Sequence, residues 1–171
     1  HEQMGKGYGN SIIEGINKCS TKYFCIFNAD GSFDPKELDF MIGKLKNDKY
    51  DFVFASRYEK NCGSDDDTVI TFIGNYIFTF LGKFFFKLEI TDILYTFVVA
   101  RTSCAKKLEL TAKDFSFCVE LPIKAKRANY RICTSKSYER ARLAGKKKVN
   151  AFKDGLKILF SMVKLFFKVK V

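Results

Sequence analysis

Tyr23-Phe24-Cys25-Ile26-Phe27-Asn28-Ala29-Asp30-Gly31-Ser32 places five apolar or aromatic residues directly before a cluster of short polar ones. A continuous apolar run of that length, closed by a turn signal, reads as a strand buried on both faces of an open α/β sheet. Ligands of such sheets bind outside the carboxyl ends of the strands, so Asn28 and Asp30 are expected at the mouth of a crevice. Alternate residues of an extended segment point the same way, which puts the Asn28 amide oxygen and the Asp30 carboxylate on one side. Two hard oxygen donors there suit Mg²⁺ or Mn²⁺ holding a diphosphate. Without such a ligand the same residues form an Asx-rich turn that ends a strand.

Downstream, Asp34-Pro35 marks a helix start, and Leu38, Met41, Ile42 and Leu45 give an amphipathic helix ending near Asn47-Asp48. Asp51-Phe52-Val53-Phe54-Ala55-Ser56-Arg57 reads as a second buried strand. Strand, helix, strand makes a βαβ unit, which predicts parallel pairing and puts Asp30 and Arg57 on one edge. A fork-shaped cation beside a metal-bound anion suits that crevice. Upstream, the glycine-rich Gly5-Lys6-Gly7-Tyr8-Gly9-Asn10 runs into a helix at Ser11-Ile12-Ile13-Glu14. Such a junction either cradles a phosphate on backbone N–H groups or is a plain loop-to-helix turn.

Asp65-Asp66-Asp67 lacks the spacing of a calcium loop and reads as a solvated turn or helix cap. Residues 69–90 are almost all apolar, long enough to span a bilayer. The interruptions at Gly74, Asn75, Gly82 and Lys83 favour instead a pair of helices lying on a membrane or packed on the sheet. Asp92 opens a further strand predicted over 93–100, as either a second site carboxylate or a turn residue. Glu139-Arg140-Ala141-Arg142-Leu143-Ala144-Gly145-Lys146-Lys147-Lys148 is a basic loop able to close over a diphosphate, or a solvated linker. The segment 149–171 sets Phe152, Leu156, Leu159, Phe160, Val163, Phe166 and Phe167 on one broad face with lysines elsewhere, a basic amphipathic helix suited to a membrane interface.

Composition sets the outer bounds. At 171 residues and 47% hydrophobic content the chain can bury one sizeable core. Six scattered cysteines without a C-x-x-C pair, and His1 as the sole histidine, argue against a zinc or disulfide scaffold and for a reducing compartment. Residues 1–123 carry 15 Lys or Arg against 17 Asp or Glu, and residues 124–171 carry 15 against 2. The basic excess therefore sits entirely in the last 48 residues, where it can attract anionic lipid, a phosphorylated substrate or nucleic acid.

In this order and spacing, Gly5-Lys6-Gly7 with Glu14-Gly15, Asn28-Ala29-Asp30-Gly31-Ser32, Asp34-Pro35, Ser56-Arg57-Tyr58, Thr91-Asp92, Glu120 before Lys124-Ala125-Lys126-Arg127, and Arg142-x-x-Gly145-x-x-Lys148 resemble the family 2 glycosyltransferases. Among these the likeness is to the dolichyl- and polyprenyl-phosphate sugar transferases. The resemblance implies a nucleotide-sugar-binding α/β fold of the GT-A, Rossmann-like type. It would be partial, lacking its N-terminal strands, with a mixed, mostly parallel sheet, flanking helices and a C-terminal amphipathic helix. It also implies catalytic domain over 1–148 and a membrane-associating helix over 149–171.

By the family pattern Asn28 and Asp30 would hold Mg²⁺ or Mn²⁺ on the donor diphosphate. Arg57, Arg142 and Lys148, with Gly5 and Lys6, would face phosphates, and Asp92 would sit near the acceptor as the carboxylate for a hydroxyl. The expected partners are a nucleotide-sugar donor, a lipid-phosphate or other acceptor and the cytoplasmic face of a membrane, with no nucleic acid. Asn28 stands where the family usually has Asp, which removes a negative charge from the metal seat. A non-catalytic module binding membrane or nucleic acid through the basic tail is the alternative.

Overall fold

A computed structural model of the chain describes residues 5–145 and 150–168. The two apolar runs form β1 (Tyr23–Ile26) and β2 (Phe52–Ser56), joined through helix α2 (Lys36–Lys46). The two strands run in the same direction, as a βαβ crossover requires, but they are not neighbours. A later strand, β4 (Val98–Arg101), lies between them antiparallel to both, with Tyr23 opposite Arg101 and Phe54 opposite Val98. On the far side of β2, β5 (Ile132–Lys136) pairs parallel, Phe52 opposite Ile132. The expected direct parallel pairing is thus replaced by a split unit. Of the predicted strand over 93–100 only its end pairs, and the rest is loop.

The position of each strand in the order β1-β4-β2-β5 explains its burial. β2 has a neighbour on either side and helices over both faces, and all five of its residues are buried. β1 is an edge strand among the described residues, so Cys25 is exposed; the expectation that it is buried on both faces is corrected. Along β2 the side chains alternate: Phe52 and Phe54 join one core, Val53 and Ala55 the other. The second core sits under α2, where Met41 and Leu45, one turn apart, are fully buried. Phe33 fills it, stacked on Phe97 at 4.7 Å and edge-on to Tyr95 at 5.1 Å.

Four further helices cover the larger core: α1 (Tyr8–Lys18), α3 (Val69–Phe86), α5 (Phe117–Arg127) and α6 (Ala151–Phe167). The short α4 (Thr102–Lys106) follows β4, and a two-residue pair joins β3 (Gly63–Ser64) to β6 (Tyr138–Glu139). Residues 69–86 form one continuous helix rather than the expected pair, opened by a reciprocal cap between Thr68 and Thr71 and closed at Lys87 with φ 55°. α6 begins at Asn150, whose side chain accepts from the Lys153 N–H at 3.0 Å. It sends Ile158, Met162 and Leu165 into the larger core at helical spacing. Of the membrane-associating segment expected over 149–171, the described part is α6 and Lys168, and α6 packs on the main body through these residues.

Phe33 is 1% exposed and bridges three rings, so Phe33→Ala should lower unfolding free energy by about 3–5 kcal/mol, read from urea denaturation.

Candidate functional site

Because β1 and β2 both run against β4, their carboxyl ends leave the sheet on one edge, carrying Asn28, Asp30 and Arg57 there. Gly31, at φ 83°, turns the chain, and Asp30 Oδ1 accepts from the Ser32 N–H at 3.1 Å and the Ser32 hydroxyl at 2.7 Å. The turn is therefore the Asx type expected from the sequence, and it engages only one carboxylate oxygen. The other, Oδ2, lies 3.7 Å from an Arg142 nitrogen, in a long, partly exposed ion pair. Asn28, two residues earlier, is half-buried and makes no side-chain hydrogen bond among the described residues.

The basic segment lies directly over this turn. The N–H groups of Arg140 and Leu143 donate to the carbonyls of Ser32 and Asp30 at 2.9 and 2.8 Å. A Cβ on Gly31 would sit 2.7 Å from the Leu143 side chain, so the glycine allows the close approach. Arg142 is steered by Asp66, which accepts from it at 2.7 and 3.3 Å; that hydrogen bond raises the Arg142 pKa. The acidic run is neither a metal site nor a solvated turn. Asp65 accepts from the Tyr138 hydroxyl, Asp66 holds Arg142, and Asp67 accepts from the Tyr58 hydroxyl and from Thr71. Lys148, expected to act with Arg142, lies outside the described residues.

Arg57 has a different place from the one expected. Its side chain is buried, and it donates to Asp92 through Nε at 2.7 Å and Nη2 at 3.0 Å, and to Glu139 through Nη1 at 2.9 Å. Its guanidinium lies over the Tyr95 ring at 4.5 Å. Burial alone would lower its pKa, but the two carboxylates more than offset that, so it is raised and Arg57 stays charged. Asp92 is 1% exposed and also accepts from the Arg57 backbone N–H and the Asn75 amide. Both its oxygens are engaged, which leaves none facing solvent as a base. Arg57 and Asp92, expected to face phosphate and acceptor, are here joined to each other in a buried ion pair behind the edge.

Two members of this network were not singled out from sequence. Glu139 joins β6 to Arg57 and accepts from the Ser64 hydroxyl, a role its place in the basic run hides. Asn75 was read only as an interruption, though a lone amide inside an apolar helix signals a buried partner.

The glycine-rich opening also serves packing. A Cβ at Gly9 would stand 2.2 Å from the Ala112 carbonyl oxygen, so α1 abuts residues 112–114 where only a glycine fits. The Gly5 N–H is taken by Glu14 at 3.1 Å, and Lys6 is exposed. Of the phosphate cradle expected at Gly5 and Lys6, the Gly5 N–H is bonded internally at this loop-to-helix junction. Next to it, the Tyr8 hydroxyl donates to Thr96 at 2.6 Å and its pKa is raised, first by burial. Glu120 is buried, accepting from Thr111, Ala112 and Lys124.

Among the described residues no three His, Cys, Asp or Glu side chains group to hold a metal ion. Asp30 Oδ2, in only a long ion pair with Arg142, and the nearby Asn28 amide are the oxygen donors this edge offers, too few for Mg²⁺ or Mn²⁺ unless substrate phosphates and water complete the shell. The donor set fits a cation that arrives with a diphosphate.

Residues 1–109 match the glycosyl transferase family 2. Among solved structures, glucosyl-3-phosphoglycerate synthase from Mycobacterium tuberculosis, in complex with Mn²⁺, uridine-diphosphate and phosphoglyceric acid, superposes with TM-score 0.73 at 12% identity. The alignment covers 95% of this chain and 55% of that one. A crystal structure described as that of a mycobacterial protein gives TM-score 0.71 at 10% identity over 96% of this chain and 53% of its own. The fold is therefore that of the GT-A glycosyltransferases, and the chain spans about 55% of the length of the structures it matches.

Asp92→Ala leaves the buried Arg57 short of its main partner and should cost about 3–5 kcal/mol of stability. Asp30→Ala, at a partly exposed turn, should cost about 1 kcal/mol or less, with both read from the same denaturation series.

Proposed function

The chain belongs to glycosyl transferase family 2, and from that premise we propose that it moves a sugar from a nucleotide-sugar donor to an acceptor by single displacement with inversion. The observation that carries this reading is the convergence of Asn28, Asp30 and Arg142 on one sheet edge, backed by the buried Arg57 pair. In the displacement an acceptor oxygen bonds to the anomeric carbon as the bond from that carbon to the diphosphate oxygen breaks. Negative charge grows on the departing nucleoside diphosphate. Arg142 stands where it can meet that charge, and water loss on closure of the basic segment would strengthen the contact. Asn28 and Asp30 would hold the divalent cation, which neutralises diphosphate charge as a Lewis acid when bound. Mn²⁺ and uridine-diphosphate in the neighbouring synthase support a cation with a nucleoside diphosphate.

For the acceptor we favour a polyprenyl or dolichyl phosphate at a membrane surface. An acceptor that is already an anion needs no general base, which agrees with an Asp92 whose oxygens are both engaged. The surface of α3 gives separate support. Its fully buried positions are Asn75, Thr79 and Gly82, while Ile73, Tyr76, Phe80 and Phe84 face outward, Tyr76 and Phe84 each 68% exposed. It is long and apolar enough to cross a membrane with only 17% buried. A helix polar within and apolar without suits lipid contact better than water. α6 adds exposed aromatic residues of its own, Phe152, Phe160 and Phe167.

Transfer from a uridine-diphosphate sugar in the presence of Mn²⁺ should fall about a hundredfold or more in Asp30→Ala, with the melting temperature lowered by no more than about 4 °C. Unchanged turnover would remove Asp30 from the mechanism, and membrane binding without any transfer by the wild type would leave the chain a membrane-binding module. Asn28→Asp restores a charge to the seat and should tighten Mn²⁺ binding severalfold in titrations with uridine-diphosphate; an unaltered affinity would take Asn28 off the cation.

A further inference from the structure

Between α5 and α6 lies an open cavity of about 610 Å³, in the size range of small-molecule sites. None of the residues of the Asp30 edge lines it. Six of its side chains are Lys or Arg and three are carboxylates. Of the carboxylates, Glu120 is saturated by Thr111, Ala112 and Lys124, and Asp114 accepts from the Ser116 N–H and faces Lys157 at 3.9 Å. Glu109, the third carboxylate, and Lys164 and Lys168 make no ion pair among the described residues, so the six cations against three carboxylates leave the cavity a net positive end.

That end is fixed to an apolar one by Arg127. Its Nη1 donates to the Lys168 carbonyl at 3.0 Å and its guanidinium lies over the Phe86 ring at 5.5 Å, so the ends of α5, α6 and α3 meet there. Arg127 lines both the basic cavity and a neighbouring hollow walled by Phe85, Phe86, Phe166 and Phe167. Beside it, Leu81, Leu159, Met162 and Val163 continue an entirely apolar cleft between α3 and α6. A cationic pocket opening onto an apolar cleft matches one ligand chemistry: a phosphate joined to hydrocarbon chains. Free phosphate would leave the cleft unused.

We propose that the α5–α6 groove seats the headgroup phosphate of an anionic membrane phospholipid, at Lys164, Lys168 and Arg127, with its acyl chains along the cleft between α3 and α6. The proposal rests on the membrane-surface reading of α3 and α6. It adds a lipid site separate from the transfer site, which would set how the sheet edge stands relative to the bilayer.

The test is binding of the full chain to phosphatidylcholine vesicles with and without phosphatidylglycerol. The wild type should bind the anionic vesicles more tightly, and Lys164→Ala with Lys168→Ala should weaken that binding about thirtyfold. Lys83→Ala with Lys153→Ala removes the same charge from exposed positions of α3 and α6 outside the groove, and should stay close to wild type. Equal losses in the two double variants would reduce the groove to diffuse attraction and overturn the proposal. Equal wild-type affinity for neutral and anionic vesicles would also overturn it while leaving the membrane reading intact; binding to neither would sink both. Inorganic phosphate at constant ionic strength should not displace the protein from anionic vesicles, and displacement would mark a free-phosphate site instead.

Discussion

The buried guanidinium of Arg57 is the constraint on which the site edge depends. Taking that charge out of water is costly, and the cost is offset only because Asp92 and Glu139 meet it with short hydrogen bonds. The three residues come from the end of β2, the loop before β4 and the β6 strand, segments far apart in the chain. One ion-pair cluster therefore fastens together the pieces that frame the mouth. Glu139 lies three residues before Arg142, so fixing Glu139 on Arg57 also sets where the basic segment crosses the Asp30 turn. The cluster is buried, and it lies behind Asp30 and Arg142 where it can hold them in place.

α3 couples that cluster to the outside of the molecule. Its Asn75 donates to Asp92 and accepts from the Leu94 N–H, and Thr79 accepts from the Ile93 N–H, so the helix's polar positions hold the loop that carries Asp92. The opposite side is an aromatic and aliphatic surface shared with α6, joined through Phe85 and Phe166 at 5.5 Å. A single helix thus has the site on one side and an apolar exterior on the other. Contact of that exterior with lipid would bring an acceptor phosphate and the sheet edge into a fixed relation, which is the physical content of a transferase acting on a membrane-held acceptor.

The crossover order and the shared edge of Asp30 and Arg57 were legible in the sequence, because apolar runs ending in polar residues carry strand direction with them. The pairing was not. β4 has four residues and reaches its place from beyond α3, and no local pattern tells that it will enter between β1 and β2. The roles of Arg57 and Asp92 were lost for a related reason. Residue type permits either a phosphate contact or an ion pair, and the 35 and 82 residues that separate Arg57 from its partners hide the choice. The acidic loop was likewise opaque, since its three carboxylates look alike in sequence yet take Tyr138, Arg142 and Tyr58 as separate partners.

The most direct measurement is a crystal structure of the protein with Mn²⁺ and uridine-diphosphate. The account predicts Asp30 on the metal, Arg142 on the diphosphate, and Arg57 still paired with Asp92 and Glu139. Arg57 released from Asp92 and bonded to the diphosphate would contradict it, because the cluster would then be part of the binding machinery and not its frame.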